Sequence, residues 1–174
     1  PYSAVDDTPF RLNSDGSPYP KNSSRTYSGL TDITTAVRKS LNTAAVKTLD
    51  LVGLQRSFDY MTDVFGFTSM EDYKVVANGE VKSDIDYSPL AMGGLTTGVS
   101  TYEMAGAYSV FPRNGIYIKP HLYTTVTDMD GNVILSNDEE GKAVLSENTT
   151  YYMNELLEGV VTSGTGTVAQ IPGY

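Results

Sequence analysis

Ser40-Leu41-Asn42 sets a hydroxyl and a carboxamide two residues apart. Within a continuous helix, residues at that spacing do not face each other. In an extended or turn backbone they lie on the same side of the chain. The flanking patterns place the end of one helix at Ser40 and the start of another at Asn42. The two side chains can then converge into a cleft. A second reading stands beside this one, in which Asn42 merely caps the helix it opens. Ser146-Glu147-Asn148 has the same spacing, and there capping explains the pattern.

The remaining candidates are weaker. His121 is the single histidine and follows Pro120 at a strand start. With no cysteine in the chain, a zinc site would need carboxylates for every other ligand. A structural histidine is the better reading. Asp128, Asp130, Asn132 and Glu139 fall at positions 1, 3, 5 and 12 of a calcium-loop template. Val133 occupies the place where that loop needs glycine, and Asp130-Gly131 suits a tight hairpin turn instead. Gly164-Thr165-Gly166 lacks the lysine and the Ser/Thr of a phosphate cradle, and reads as a helix-ending loop. No metal or cofactor is expected.

These residues must be positioned by the elements around them. The first 28 residues read as irregular, because three X-Pro pairs and the turn formers Asn13-Ser14-Asp15-Gly16 and Asn22-Ser23-Ser24 interrupt them. Thr31 is the expected cap of a helix carrying Ile33, Ala36 and Val37 and ending near Lys39 or Ser40. Asn42 opens a second helix to Val52, with Ala45, Val46, Leu49 and Val52 on one face and Gly53 closing it. A third helix runs from Leu54 to Phe65. Thr68-Ser69-Met70-Glu71 matches a capping box for a short helical turn. Residues 74–98 are weakly patterned, with Val75-Val76-Ala77 a brief strand and Asn78-Gly79 a turn. Ser100-Thr101-Tyr102-Glu103 opens a helix that Pro112 ends. Tyr117–Thr127 and Val133–Leu135 read as two strands around Asp130-Gly131, and Ser146 caps a last helix to about Val161. Many helices and one small hairpin near 117–135 make an α+β segment. Its divisions are an irregular lead-in, 1–30, and a helical lobe, 31–174.

The chain has 174 residues, 12 Lys+Arg against 21 Asp+Glu, a net charge of −9 and no cysteine. A phosphate backbone is repelled by that charge, so nucleic acid is not an expected partner. No apolar run approaches the ~20 residues that a bilayer requires, so no membrane contact is expected from this segment.

Local sequence narrows the reading. Tyr27-Ser28-Gly29-Leu30-Thr31 followed by Ala36-Val37-Arg38-Lys39-Ser40-Leu41-Asn42-Thr43-Ala44-Ala45-Val46 resembles the stretch around the second active-site motif of class A penicillin-binding proteins. Leu90-Ala91-Met92-Gly93-Gly94 and Gly98-Val99-Ser100-Thr101-Tyr102-Glu103-Met104-Ala105-Gly106-Ala107-Tyr108 are similar to the family's downstream helix. Asn114-Gly115, Pro120 and Asp128-Met129-Asp130-Gly131 resemble its following hairpin. Gly159-Val160-Val161, Gly164-Thr165-Gly166 and Ala169 resemble the approach to its third motif.

The resemblance implies serine acyl transfer that cross-links peptidoglycan and is blocked by penicillin, on a fold with an antiparallel sheet and a helical lobe. It implies that Ser40 is catalytic, relaying a proton, and that Asn42 is substrate-binding, holding a peptide or β-lactam side-chain amide. Stem peptides, β-lactams and the remainder of the transpeptidase domain are the implied partners. The implied location is the extracytoplasmic face of the bacterial membrane, with the anchor outside this chain. Two family motifs are missing: no lysine has serine three residues before it, and none is followed by Thr-Gly or Ser-Gly. A fragment lying between the nucleophile and the third motif is therefore expected, inactive alone. The alternative is a non-catalytic interaction or regulatory module that kept the same helical lobe.

Overall fold

The computed structural model describes residues 3–138 and 140–173. The lead-in is ordered by pairing. Strand β1 (Ala4–Asp7) runs antiparallel to β4 (Gly29–Asp32), with Val5 opposite Thr31. Between them β2 (Arg11–Leu12) and β3 (Pro18–Tyr19) form a small hairpin. Asp15 closes its turn by accepting from Ser17 N at 2.9 Å. The sequence reads this stretch as irregular because β1 and its partner are separated by the hairpin, and no local pattern announces a non-local strand pair.

Strand β4 runs directly into helix α1 (Ile33–Arg38). Asp32 caps it, accepting from Thr35 N at 2.8 Å, while the expected cap Thr31 lies buried in β4. Helix α2 (Asn42–Val52) buries Thr43, Ala44, Val46 and Leu49. Gly53, at φ 96°, separates it from α3 (Leu54–Asp59). The third helix then continues as a wider turn, Tyr60–Val64, in which Phe65 N reaches back to Tyr60 O.

The expected turn of helix at Thr68–Glu71 does not form. Thr68 instead donates from its N and Oγ1 to Glu103, both at 2.8 Å, and Glu71 N donates to buried Asp84 at 2.9 Å. Strands β5 (Lys74–Val75) and β6 (Val81–Lys82) pair around the Asn78-Gly79 turn. Helix α4 (Tyr87–Met92), capped by Asp86, stands within the stretch 74–98 that the sequence left weakly patterned. Its single proline sits in the first turn, where a missing N–H is tolerated.

Helix α5 (Thr101–Tyr108) starts at the expected capping box. The stretch after it differs from expectation. Only Ile116–Tyr117 (β7) and Thr125–Thr127 (β8) are strands, and they have different partners. Strand β8 pairs with β9 (Val133–Ser136) through the Asp130-Gly131 turn, whereas β7 pairs with β10 (Lys142–Ala143). Pro120 splits what the apolar pattern reads as one strand. Helix α6 (Glu147–Ser163) begins at Ser146, whose Oγ accepts from Thr149 N at 3.2 Å.

The core nearest the lead-in is built from Ala36, Leu41 and Ala44, with Val5 of β1 packed against them. Helix α1 lies on α6, and α2 lies on α4. That packing fixes the short connection between α1 and α2, on which Ser40 and Asn42 stand.

Candidate functional site

Helix α1 ends in two bonds. Ser40 N donates to Val37 O at 3.0 Å and Leu41 N to Ala36 O at 3.0 Å. This is the Schellman closure, and it requires the residue after the C-cap to adopt the left-handed conformation that glycine supplies most readily. Here that residue is Ser40, at φ 54°. Leu41 and Ala36, the two ends of the wider bond, also meet in the apolar cluster. The backbone therefore breaks between the helices, and the serine stands exposed at the break. Its hydroxyl makes no hydrogen bond among the described residues.

Leu41 holds the N-cap position of α2 with an extended backbone (φ −74°, ψ 115°) and has no side chain able to cap. Asn42 is the first helical residue and does not cap, which removes the alternative reading of its role in the sequence. Its Nδ2 donates to Lys21 O at 2.8 Å. That bond fixes the amide's orientation, leaving Oδ1 and the second N–H to face other groups.

The cap comes from elsewhere in the chain. Asn22 Oδ1 accepts from Thr43 N at 3.3 Å. Asn22 Nδ2 donates to Asp7 Oδ1 at 2.7 Å and to Thr26 O at 3.0 Å. Asp7 accepts further from Thr43 Oγ1 at 2.5 Å and from Ser28 N at 2.9 Å. Asp7, Asn22 and Thr43 are 0%, 3% and 0% exposed. Burial alone would raise the Asp7 pKa; the bonds from Thr43, Asn22 and Ser28 outweigh it and hold the carboxyl below its ordinary value. Neither Asp7 nor Asn22 stood out in the sequence, where Asn22 reads as one of several turn formers. The sequence held no signal for them, because Asn42 itself reads as a cap there; only the structure, which puts apolar Leu41 at the N-cap, shows that the acceptor comes from outside the helix.

Two depressions meet at Ser40. One is an apolar groove of about 660 Å³ walled by α1, α2, Leu90–Met92 of α4 and Met153 and Leu156 of α6; Ser40 and Asn42 both line it. The other, about 390 Å³, is rich in hydroxyls: Ser23, Ser24, Thr26, Ser28 and Ser40 face Ser163 and Thr165. Lys39 is exposed beside them. The loop after α6 is pinned to the same corner, since Thr165 N donates to Arg38 O at 3.1 Å. Gly164 is required there, because a Cβ would lie 2.5 Å from Arg38 O and 2.8 Å from Val160 O.

Comparison with known proteins gives the family of the chain. The sequence profile of the penicillin binding protein transpeptidase domain matches residues 1–174. The chain belongs to the penicillin-binding protein transpeptidase family. It is 38% identical over 151 residues to penicillin-binding protein 1A of Clostridium novyi, covering 87% of this chain and 16% of that protein. It is 37% identical over 174 residues to penicillin-binding protein 1A of Clostridium acetobutylicum, covering 95% of this chain and 20% of that protein. The D,D-transpeptidase domain of a peptidoglycan glycosyltransferase from Eggerthella lenta superposes with a TM-score of 0.67 at 18% identity, over 98% of this chain and 46% of that one. The chain thus spans about a fifth of the curated relatives it matches and less than half of that solved domain. It is a piece of a transpeptidase domain with that domain's α+β fold.

Other candidates from the sequence resolve differently within the transpeptidase piece. His121 is exposed, with Nδ1 3.3 Å from Lys119 O. Asp128 folds back on its own turn: Oδ1 accepts from Asp130 N at 2.9 Å and Asn132 N at 2.8 Å. Those bonds to Asp128, with Gly131 at φ 85°, make a hairpin turn; Glu139, the last position of the calcium template, lies outside the described residues. Among the described residues no group of three or more potential ligands is placed to hold a metal. Glu103, at the far α5 corner, accepts from Thr68 and Ser100, and these bonds lower its pKa from 4.5 to about 2.

Proposed function

We propose that this chain supplies the Ser-x-Asn corner of a peptidoglycan D,D-transpeptidase site, with Ser40 as the catalytic hydroxyl and Asn42 as the substrate-binding carboxamide. The observation that carries the reading is the turn itself. A serine is held in a left-handed conformation that glycine would adopt with less strain, its hydroxyl exposed and unpaired among the described residues, on a groove it shares with Asn42. Ser40 passes a proton toward the leaving amine, a contribution of ~10² to 10⁴ in rate. Asn42, its Nδ2 anchored on Lys21 O, presents Oδ1 and its other N–H to the amide of a stem peptide or of a β-lactam side chain. Loss of such a bond costs roughly 1–3 kcal/mol when the partner is left buried.

The nucleophilic serine and the lysine motifs belong to other parts of the domain, since no Ser-x-x-Lys or Lys-Thr-Gly occurs in these residues. The chain by itself therefore neither reacts with penicillin nor cross-links peptides. The complete protein works at the extracytoplasmic face of the membrane, where its substrate lies.

Labelling with a fluorescent penicillin tests this. The isolated 174-residue chain should give no stable adduct, while the parent protein should label. Ser40→Ala in the parent should slow labelling roughly 10²-fold or more. A stable adduct on the isolated chain, or wild-type labelling by the Ser40→Ala parent, would refute the assignment.

A further inference from the structure

We infer that Asn22, acting with buried Asp7 and Thr43, is a positioning residue for Asn42 and so for recognition of the ligand's amide. The inference rests on the reading of Asn42 given above.

The argument begins at the N-terminus of α2. Its N-cap residue, Leu41, is apolar and belongs to the core, so the first-turn amides need an acceptor from another part of the chain. Asn22 Oδ1 provides it at the second helical amide, Thr43 N, the place an N-cap side chain would serve. Because this acceptor comes from outside, Asn42 is relieved of capping. The same loop then takes hold of Asn42, whose Nδ2 donates to the carbonyl of Lys21, the neighbour of Asn22. Asn22 is itself held in place: its Nδ2 bonds Asp7 and Thr26 O, and Asp7 is locked by Thr43 Oγ1 and Ser28 N. All three side chains are sealed from solvent. Removing Asn22 releases the Lys21 carbonyl, and with it the fixed orientation of the Asn42 amide. Misplacement of a binding group by about 1 Å can cost ~10²-fold in rate.

The test is carried out in the parent protein with two β-lactams, benzylpenicillin, which has the side-chain amide, and 6-aminopenicillanic acid, which lacks it. Wild type should acylate faster with benzylpenicillin, and Asn42→Ala should lower that preference. Asn22→Ala should lower it in the same direction, by at least threefold. A purely architectural role would slow both compounds by one factor and leave their ratio unchanged, which would overturn the proposal. If Asn22→Ala does not fold, Thr43→Val, which removes one donor to Asp7 at nearly constant volume, must lower the ratio; an unchanged ratio there overturns the proposal equally. Failure of the underlying reading looks different. A wild-type parent that does not label, or an Asn42→Ala parent with an unaltered preference, removes the role of Asn42 and the inference with it. An Asn42→Ala effect without an Asn22→Ala effect removes the inference alone.

Discussion

Helices α2 and α5 begin by opposite means. At α5 everything needed is local: Ser100 Oγ accepts from Glu103 N at 3.1 Å and Glu103 Oε2 accepts from Ser100 N at 2.9 Å, a reciprocal box within four residues. At α2 the cap arrives from Asn22, 21 positions upstream of the amide it serves. The local box stabilises its own helix first. The remote cap also ties three segments together, β1 through Asp7, the lead-in turn through Asn22 and the helix through Thr43. The second arrangement leaves Asn42, the side chain nearest the helix end, free of capping and bonded to the lead-in through Lys21 O.

The contrast predicts unequal losses. Asn22→Ala removes a cap, worth about 1 kcal/mol, and also leaves a buried carboxylate short of a donor, which costs about 1–3 kcal/mol. A destabilisation of about 3 kcal/mol is expected in urea unfolding of the chain. Ser100→Ala removes a cap and one hydroxyl donor to the Glu103 carboxylate, which keeps Thr68 N, Thr68 Oγ1 and Ser100 N, and should cost about 1 kcal/mol. Equal losses would mean that the Asp7 network adds nothing beyond capping, and the contrast would collapse.

The same difference decides what could be read from the sequence. The start of α5, the start of α6 at Ser146 and the break at Ser40 all rest on residues within a few positions of each other, and each was legible. The pairing of β1 with β4, the use of Thr68 as a partner of Glu103, and the capping of α2 by Asn22 depend on contacts between distant segments. Residue types alone do not encode which distant acceptor meets which amide. For the candidate site, therefore, the helix break that carries Ser40 and Asn42 could be placed in advance, whereas the Asp7 and Asn22 network behind it could not.

Acid sharpens the comparison from the α5 side. The folded-state pKa of Glu103 is about 2 against an ordinary 4.5, because Thr68 N, Ser100 N and the Ser100 hydroxyl bond its ionised form. A carboxyl lowered on folding stabilises the protein above its unfolded value, and that contribution is lost as the pH falls through the folded one. Glu103 should therefore contribute fully above 4.5 and progressively less from there down to about 2. Urea midpoints measured across that interval should fall less steeply with acid in Glu103→Gln than in wild type. Parallel slopes would show that the α5 carboxylate gains nothing from its partners.

The smallest expected effect lies at the turn between α1 and α2, and its sign is unusual. A left-handed conformation costs an ordinary L-residue roughly 1–2 kcal/mol. Glycine avoids that cost but brings about 0.5–1 kcal/mol of additional backbone entropy to the unfolded chain. With Ser40 at φ 54°, Ser40→Gly should therefore stabilise the chain, by roughly 0.5–1 kcal/mol. Ser40→Ala keeps the same φ requirement and should leave stability nearly unchanged, since the hydroxyl has no partner among the described residues. Urea unfolding of the two variants decides the matter. A gain in both would trace to the hydroxyl, and no gain in either would mean that the turn is unstrained. A gain in glycine alone, together with slower penicillin labelling of the corresponding parent, would show a side chain retained for its chemistry at a position where the backbone favours having none.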